Sequence, residues 1–261
     1  MRVLVTFAVD AEFAPWRKLR KFRSIDYDGL RLWRTNAGET EITALVTGIG
    51  NQSAAQAMGL MMKMADDNCH FDVCISSGLA GALQDGLAPG DIIAPQSLIA
   101  EVSHVDLESD QLKVDPELRK HALEAGAIPA DCLFTTDRVF VKASQKQTCS
   151  SRAQSVDMES FEIVKQASAW GARAVVVRAI SDTAREDLPI NFNRTLTKTN
   201  QISIVKVIGE LMKNPLVLPA LLRFGKQSRH AAQRLANFLD PYVQGLGTKT
   251  ELNLSKEVGA R

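Results

Sequence analysis

Asp182 stands at the end of a run that otherwise reads as a buried strand, RAVVVRAISDTA over 173–184, and directly follows Ser181. It is one of several acids so placed. Asp10 and Glu12 come at the end of the apolar run RVLVTFAV (2–9) or just beyond it, and Asp157, Met158 and Glu159 precede a helical stretch that opens at Ser160. A carboxylate after a strand commonly does no more than cap a helix or meet solvent. Held in a pocket, the same group can give or take a proton. Two glycine clusters accompany these acids, Gly48-Ile49-Gly50 and Gly78-Leu79-Ala80-Gly81. Glycine lets a backbone approach a ligand closely. Neither cluster has G-x-G-x-x-G or Walker spacing, so neither a dinucleotide nor ATP is indicated.

The elements that must position these residues alternate. Strands are expected at 2–9, at 71–78 (FDVCISSG), at 90–99, at 132–141 (CLFTTDRVFV) and from 173 onward, with two more around the Asn-Ala-Gly turn inside 30–48. Helices are expected at 12–22, at 51–67 with Asn51 as N-cap, at 116–125 and at 160–170. Strands separated by helices predict an α/β fold, a largely parallel or mixed central sheet flanked by helices. In such a sheet a ligand binds beyond the carboxyl ends of the strands, where the acids and glycines collect.

With 261 residues and 45% hydrophobic content, the chain can bury a large core. Lys and Arg total 31 against 30 Asp and Glu, so no global field favours nucleic acid. The four cysteines (Cys69, Cys74, Cys132, Cys149) lack metal-finger spacing, and the four histidines are scattered. No metal is expected, and reduced thiols in a cytoplasm are. Cys74 reads as core. Neither a signal peptide nor a membrane span is read at the N-terminus.

FAVDAEFAP (7–15), TGIGNQSAAQA (47–57), SSGLAGALQDGLAPGDII (76–93), SVDMESFEIV (155–164) and VVRAISDTA (176–184) resemble, in order, the motifs of the nucleoside phosphorylase/nucleosidase superfamily. The likeness spans about residues 2–208 and is strongest to methylthioadenosine/S-adenosylhomocysteine nucleosidases and their adenosylhopane-cleaving relatives. It implies cleavage of a purine N-glycosidic bond without a cofactor, by a homodimer. In that chemistry an acid protonates the departing base as an oxocarbenium-like sugar forms. The resemblance assigns Asp182 as the acid at N7, oriented by Ser181, and Glu12 as activator of the attacking water. Glu159 would hold the ribose hydroxyls with Met158 beneath the sugar, and Phe140 would stack on the base. Val9, Ile49 and Phe192 would line the space for the 5′-substituent, and Gly78, Leu79 and Ala80 would form the backbone wall.

Phosphorylases of this fold bind phosphate through arginines and a serine at the position held here by Leu79, and no arginine lies between Phe71 and Leu87. Hydrolysis of an adenine nucleoside with an apolar 5′ group is therefore expected over phosphorolysis; a non-catalytic nucleoside-binding protein is the third reading. Leu79 also departs from the nucleosidases, which usually carry serine there. Arg138 and Arg185 read as solvated, with contact to an acidic group as the alternative. The chain divides into an expected domain at 1–213, a helical extension at 214–243 and a mobile tail at 244–261. In the extension Leu221, Leu222, Phe224, Ala232, Leu235 and Leu239 recur at helical spacing among Arg223, Lys226, Arg229 and Arg234. Such a stripe packs on its own domain or a partner, or lies on an anionic membrane surface.

Overall fold

The computed structural model describes every residue except 28–29, 66–69, 102–110, 196, 198–202 and 259–261; the side chains at 64–65, 204 and 248–258 are also left out. β1 (Arg2–Phe7) leads into α1 (Asp10–Leu19), and β2 (Arg23–Tyr27), β3 (Leu30–Ala37) and β4 (Thr40–Val46) follow as a meander. Next come α2 (Asn51–Ala65), β5 (Val73–Ala82), β6 (Ile92–Ala100), the short β7 (Leu112–Lys113) and α3 (Pro116–Glu124). β8 (Ile128–Thr135), α4 (Ala143–Cys149), β9 (Ser155–Asp157), α5 (Ser160–Ala169) and β10 (Arg173–Asp182) complete the sheet. A 3₁₀ turn (Phe192–Arg194), α6 (Ile204–Lys213), a second 3₁₀ turn (Pro215–Val217) and α7 (Leu218–Val258) finish the chain.

The sheet is mixed. β1, β4, β5 and β10 run parallel to one another, so their carboxyl ends share one edge. β10 also pairs antiparallel with β6, and β6, β8 and β9 connect back to β5, so five strands close into a ring from which β1, β4, β3 and β2 extend. The apolar runs bury both faces of their strands, as covered sheets require. Val3, Val5 and Phe7 of β1 and Val175 and Val177 of β10 enter one core, covered by α1, α3 and α7. Leu4, Ala174 and Val176 enter the other, covered by α2 and α5 through Met58, Met61, Ile163 and Val164.

Several boundaries differ from the sequence reading, each for a local reason. β8 starts at Ile128 and stops at Thr135, so 136–141 is a loop and not the end of a strand. β2 is a mostly exposed edge strand and lacks the apolar alternation that marks the others. Asn51 does not cap α2: its side-chain amide donates to Asp137 Oδ1 at 3.0 Å while its own Oδ1 has no partner among the described residues, so it ties the helix to the 136–141 loop. Residues 66–67 of the expected helix, and Cys69, lie outside the described residues.

α7 is built into the first core. Ala231, Leu235, Ala236, Phe238, Leu239, Tyr242, Val243 and Leu246 form a buried helical stripe within it. Asp240 accepts from Trp16 Nε1 at 2.9 Å and from Arg20 Nε at 2.7 Å, and the Tyr242 hydroxyl donates to the Leu118 carbonyl at 2.9 Å. The helix also runs on through 244–258, where the polar composition suggests a tail.

Candidate active site

β10 delivers Asp182 through an irregularity. Its register against β5 is regular as far as Ile180, opposite Ala80, and then skips so that Asp182 faces Gly81. A bulge re-aims side chains that would otherwise alternate across the sheet. Ser181 Oγ donates to Asp182 Oδ1 at 2.6 Å and also lies 3.2 Å from the Ala80 carbonyl oxygen. Gly81 leaves room for the acid: a Cβ there would lie 3.2 Å from Asp182 Oδ2. The other carboxylate oxygen, Oδ2, accepts from Lys146 Nζ at 2.5 Å.

Glu12 sits in the first turn of α1, a favourable place for a carboxylate. Its Oε2 accepts the N–H groups of Ala8 (2.9 Å) and Val9 (3.3 Å), reaching back as in a capping box, and its Oε1 accepts that of Leu79 at 3.0 Å. An ionised carboxylate offers about four lone-pair sites, so one on Oε1 stays open toward the cavity. Burial pushes the Glu12 carboxyl above its usual range, against the pull of Arg178 and three backbone N–H groups. Asp10, two residues earlier, points outward and pairs with Arg17 at 2.7 Å.

Arg178, wholly buried in the valine strand, joins the two regions. It pairs with Asp157 Oδ2 at 2.6 Å and lies 3.7 Å from Glu159 Oε2; its other donors reach the Ser76 and Ser160 hydroxyls and the Leu79 carbonyl. Gly78 (φ +139°) makes this possible, because a Cβ there would collide with the guanidinium and come within 3.0 Å of Glu12. One cation cannot neutralise three carboxylates. Asp157 takes the shortest contact and is further held by the Thr135 hydroxyl and the Ser160 N–H. Glu159, which accepts the Gly50 N–H at 2.8 Å, is pushed up to about 8: burial is the main cause, and Asp157 and Glu12 add to it against Arg178.

A cavity of about 550 Å³ opens above this cluster. Asp182, Glu12, Glu159, Met158, Ser181, Phe140, Ile49, Val9, Phe192, Leu79 and Ala80 all line it; Gly78 does not, lying beneath it against Arg178. Phe140 packs on Phe134, centroids 6.3 Å apart. Of the two arginines considered from sequence, Arg138 borders the cavity and pairs with Glu101 at 3.3 Å, whereas Arg185 pairs with Asp85 on the surface. Sequence reading assigned no role to Arg178 or Lys146, nor a cavity wall to Leu188 or to Leu221, Phe224 and Arg229 of α7. The oddity of an arginine inside a valine run was the available signal for Arg178. Among the described residues no group of His, Cys, Asp and Glu is arranged to hold a metal ion.

The arrangement can hold a small molecule with a polar end over Glu12, Glu159 and Asp182 and an apolar end against α7. A family model described as the Phosphorylase superfamily matches residues 2–213. Curated relatives include a 5′-methylthioadenosine/S-adenosylhomocysteine nucleosidase of Haemophilus ducreyi, 27% identical over 81% of this chain and 97% of that protein. One of the same description from Glaesserella parasuis is 27% identical over 64% of this chain and 79% of its own length. Among solved structures, the Campylobacter jejuni nucleosidase of that description superimposes with a TM-score of 0.72 at 17% identity, over 94% of this chain and 99% of that one. A Helicobacter pylori futalosine hydrolase mutant gives 0.71 at 17% identity over the same shares. The α/β architecture and the ordered motifs agree with these likenesses, and the chain belongs to the phosphorylase superfamily.

Proposed function

We propose that this protein hydrolyses the N-glycosidic bond of an adenine nucleoside bearing an apolar 5′ group, releasing adenine. The observation that carries this reading is the convergence of Asp182, Glu12 and Glu159 on one cavity whose remaining wall is apolar. Asp182 gives its proton to N7, so the base leaves neutral as the C1′–N9 bond breaks. Glu12 takes a proton from water through the open lone pair of Oε1; its raised proton affinity suits that task. Glu159 holds the ribose hydroxyls above Met158, and Phe140 stacks on the base. The named relatives act on methylthioadenosine and S-adenosylhomocysteine by their descriptions, and one solved Helicobacter pylori nucleosidase mutant holds 5′-methylthioadenosine in its active site.

Water is favoured over phosphate because no arginine lies between Phe71 and Leu87 in the sequence and the nearest cations are already engaged: Arg178, which reaches the Leu79 carbonyl, by its carboxylates, and Lys146 by Asp182. A dianion would need such donors. The 5′ end would lie against Ile49, Val9, Leu79 and Phe192 and the first turns of α7, which fits methylthioadenosine, S-adenosylhomocysteine or adenosylhopane. A panel of 5′-substituted adenosines, assayed for free adenine with and without phosphate, tests the reading. Accumulation of a ribose 1-phosphate would make the protein a phosphorylase, and no adenine from any member would leave only a binding role.

The finer partner readings belong to the same proposal. A homodimer is inferred from the family resemblance and is checked by sedimentation. A reducing, cytoplasmic setting is supported by Cys74, Cys132 and Cys149, all buried and free. No helix among the described residues is long and apolar enough to cross a membrane. Peripheral contact with an anionic bilayer is supported by α6 and its surroundings: Val205, Met212 and Leu216 are 79%, 80% and 88% exposed, with Ile208 and Leu222 beside them in sequence spacing. Lys206, Lys213, Arg223, Lys226 and Arg229 accompany them against a single acid, Glu210. Apolar insertion and lipid attraction would then act together. The Ala232, Leu235 and Leu239 part of the extension is buried and takes no part in such contact.

A further inference from the structure

Lys146 is among the largest fully buried side chains of the protein, and it projects from a helix of only seven residues. Its Nζ donates to Asp182 Oδ2 at 2.5 Å, to the Thr183 carbonyl at 2.7 Å and to the Glu186 carbonyl at 3.1 Å. Three acceptors match the three hydrogens of an ammonium. A buried cation left unpaired is costly, so this one is committed to Asp182. With Ser181 on Oδ1, both oxygens of Asp182 face donors suited to its ionised form.

We infer that Lys146 is a positioning residue for proton donation: it stabilises the carboxylate that Asp182 becomes as its proton passes to the leaving base. This rests on the nucleosidase reading above. In the step, the O–H bond of Asp182 breaks and an N7–H bond forms, the C1′–N9 electron pair goes to the base, and the negative charge remains on Asp182. Water supplies hydroxide to C1′ and a proton to Glu12, and that proton returns through solvent to Asp182 for the next turnover. A donor already in place for the carboxylate that Asp182 becomes lowers the barrier to the proton transfer without tightening substrate binding. The other ionisable groups around Asp182 are poorly suited to this role. Glu12 and Glu159 across the cavity are acids, and Arg178 is engaged with Asp157. Arg138 at the cavity edge pairs with Glu101, Arg229 is exposed on α7, and Asp187 pairs with Lys142 on the surface.

The test uses the whole chain, methylthioadenosine as probe, and Lys146→Met and Lys146→Gln in both the native and the Asp182→Asn backgrounds. Removal of a donor of this kind costs about 10²–10³ in kcat, with KM changed little. In the Asp182→Asn background the same substitutions should change kcat by less than about threefold, because groups that act as a unit are not additive. Lys146→Gln retains donors for the Thr183 and Glu186 carbonyls, so it carries the comparison if Lys146→Met fails to fold. Equal losses in both backgrounds, or a loss carried by KM and not by kcat, would reduce Lys146 to a structural tie between α4 and the 183–186 loop. Wild type that releases no adenine from any nucleoside removes the nucleosidase reading itself. Wild type that does, with variants equal to it, removes only the role of Lys146.

Discussion

The floor and the rim of the cavity are built by opposite means. The floor is a set of ionisable groups with almost no exposure, Arg178 against Asp157, Glu159 and Glu12, each fixed by backbone N–H groups or by serine and threonine hydroxyls. The rim is apolar side chains on the first turns of α7, with the little-packed α6 nearby in sequence, and much of it meets solvent. Charges that must hold to a fraction of an ångström need burial and several partners apiece. A rim that only excludes water and accepts a shape does not. In the proposed reaction the floor then sets which bond breaks, and the rim sets which nucleoside is taken.

Changes to the floor should break this division most severely. Asp182→Asn and Glu12→Gln should each lower kcat by about 10²–10⁴ while nucleoside binding persists, since each removes a proton-transfer group and little volume. Steady-state kinetics with equilibrium binding of a non-hydrolysed analogue checks both, and near-native turnover in either would displace that residue from its role. Arg178→Met should cost about 3–5 kcal/mol of stability, because it strands buried carboxylates without their cation; denaturant melts measure this, and a variant as stable as the parent would mean the acids are neutralised by other groups.

Rim changes should be milder and selective. Phe224→Ala should lower kcat/KM about tenfold for a nucleoside with a bulky apolar 5′ group, and less for adenosine, as expected for lost apolar contact. Equal losses on both would place Phe224 outside the 5′ region. The floor also carries a pH signature. Glu159 holds its proton up to about 8 when folded, against about 4.5 for an ordinary glutamate as in the unfolded chain, so the folded chain binds an extra proton between those values. Stability should then fall as pH rises through that window. Thermal melts from pH 6 to 8 should show it, and Glu159→Gln should flatten the slope. The smallest kinetic effect belongs to the pair Val205→Glu and Met212→Glu, which should abolish co-sedimentation with anionic vesicles at low salt and leave turnover of soluble methylthioadenosine unchanged. Native protein that stays in the supernatant would leave the α6 face to a second copy of the chain.

The floor was partly legible in sequence because a strand, its terminal acid and the following turn are contiguous: Asp182, Glu12 and Glu159 stand out from short stretches. Asp10 looked equivalent to Glu12, yet two positions along a helix turn a side chain roughly to the opposite face, and only Glu12 finds backbone donors. Arg178 and Lys146 were illegible as partners because their acids come from distant segments; Lys146 and Asp182 are 36 residues apart. The stripe on α7 was visible at the right period. What the pattern did not reveal was that Leu235 and Leu239 enter the core while Leu221 and Phe224 turn to the cavity, a division set by where the sheet ends beneath the helix.

The ladder between β5 and β10 pairs residues a hundred positions apart, Val73 with Arg173, and Asp182 takes its place only at the far end of that ladder. Closing so long a loop is slow compared with forming local helices and hairpins. A refolding or newly made chain can therefore regain most of its helical content, and even Glu12 on its own helix, well before the acid, its bulge and Lys146 come together. Cleavage of a nucleoside therefore waits on this long-range ladder, because the cavity walls at Leu79–Gly81 and Ser181–Asp182 meet only when it closes.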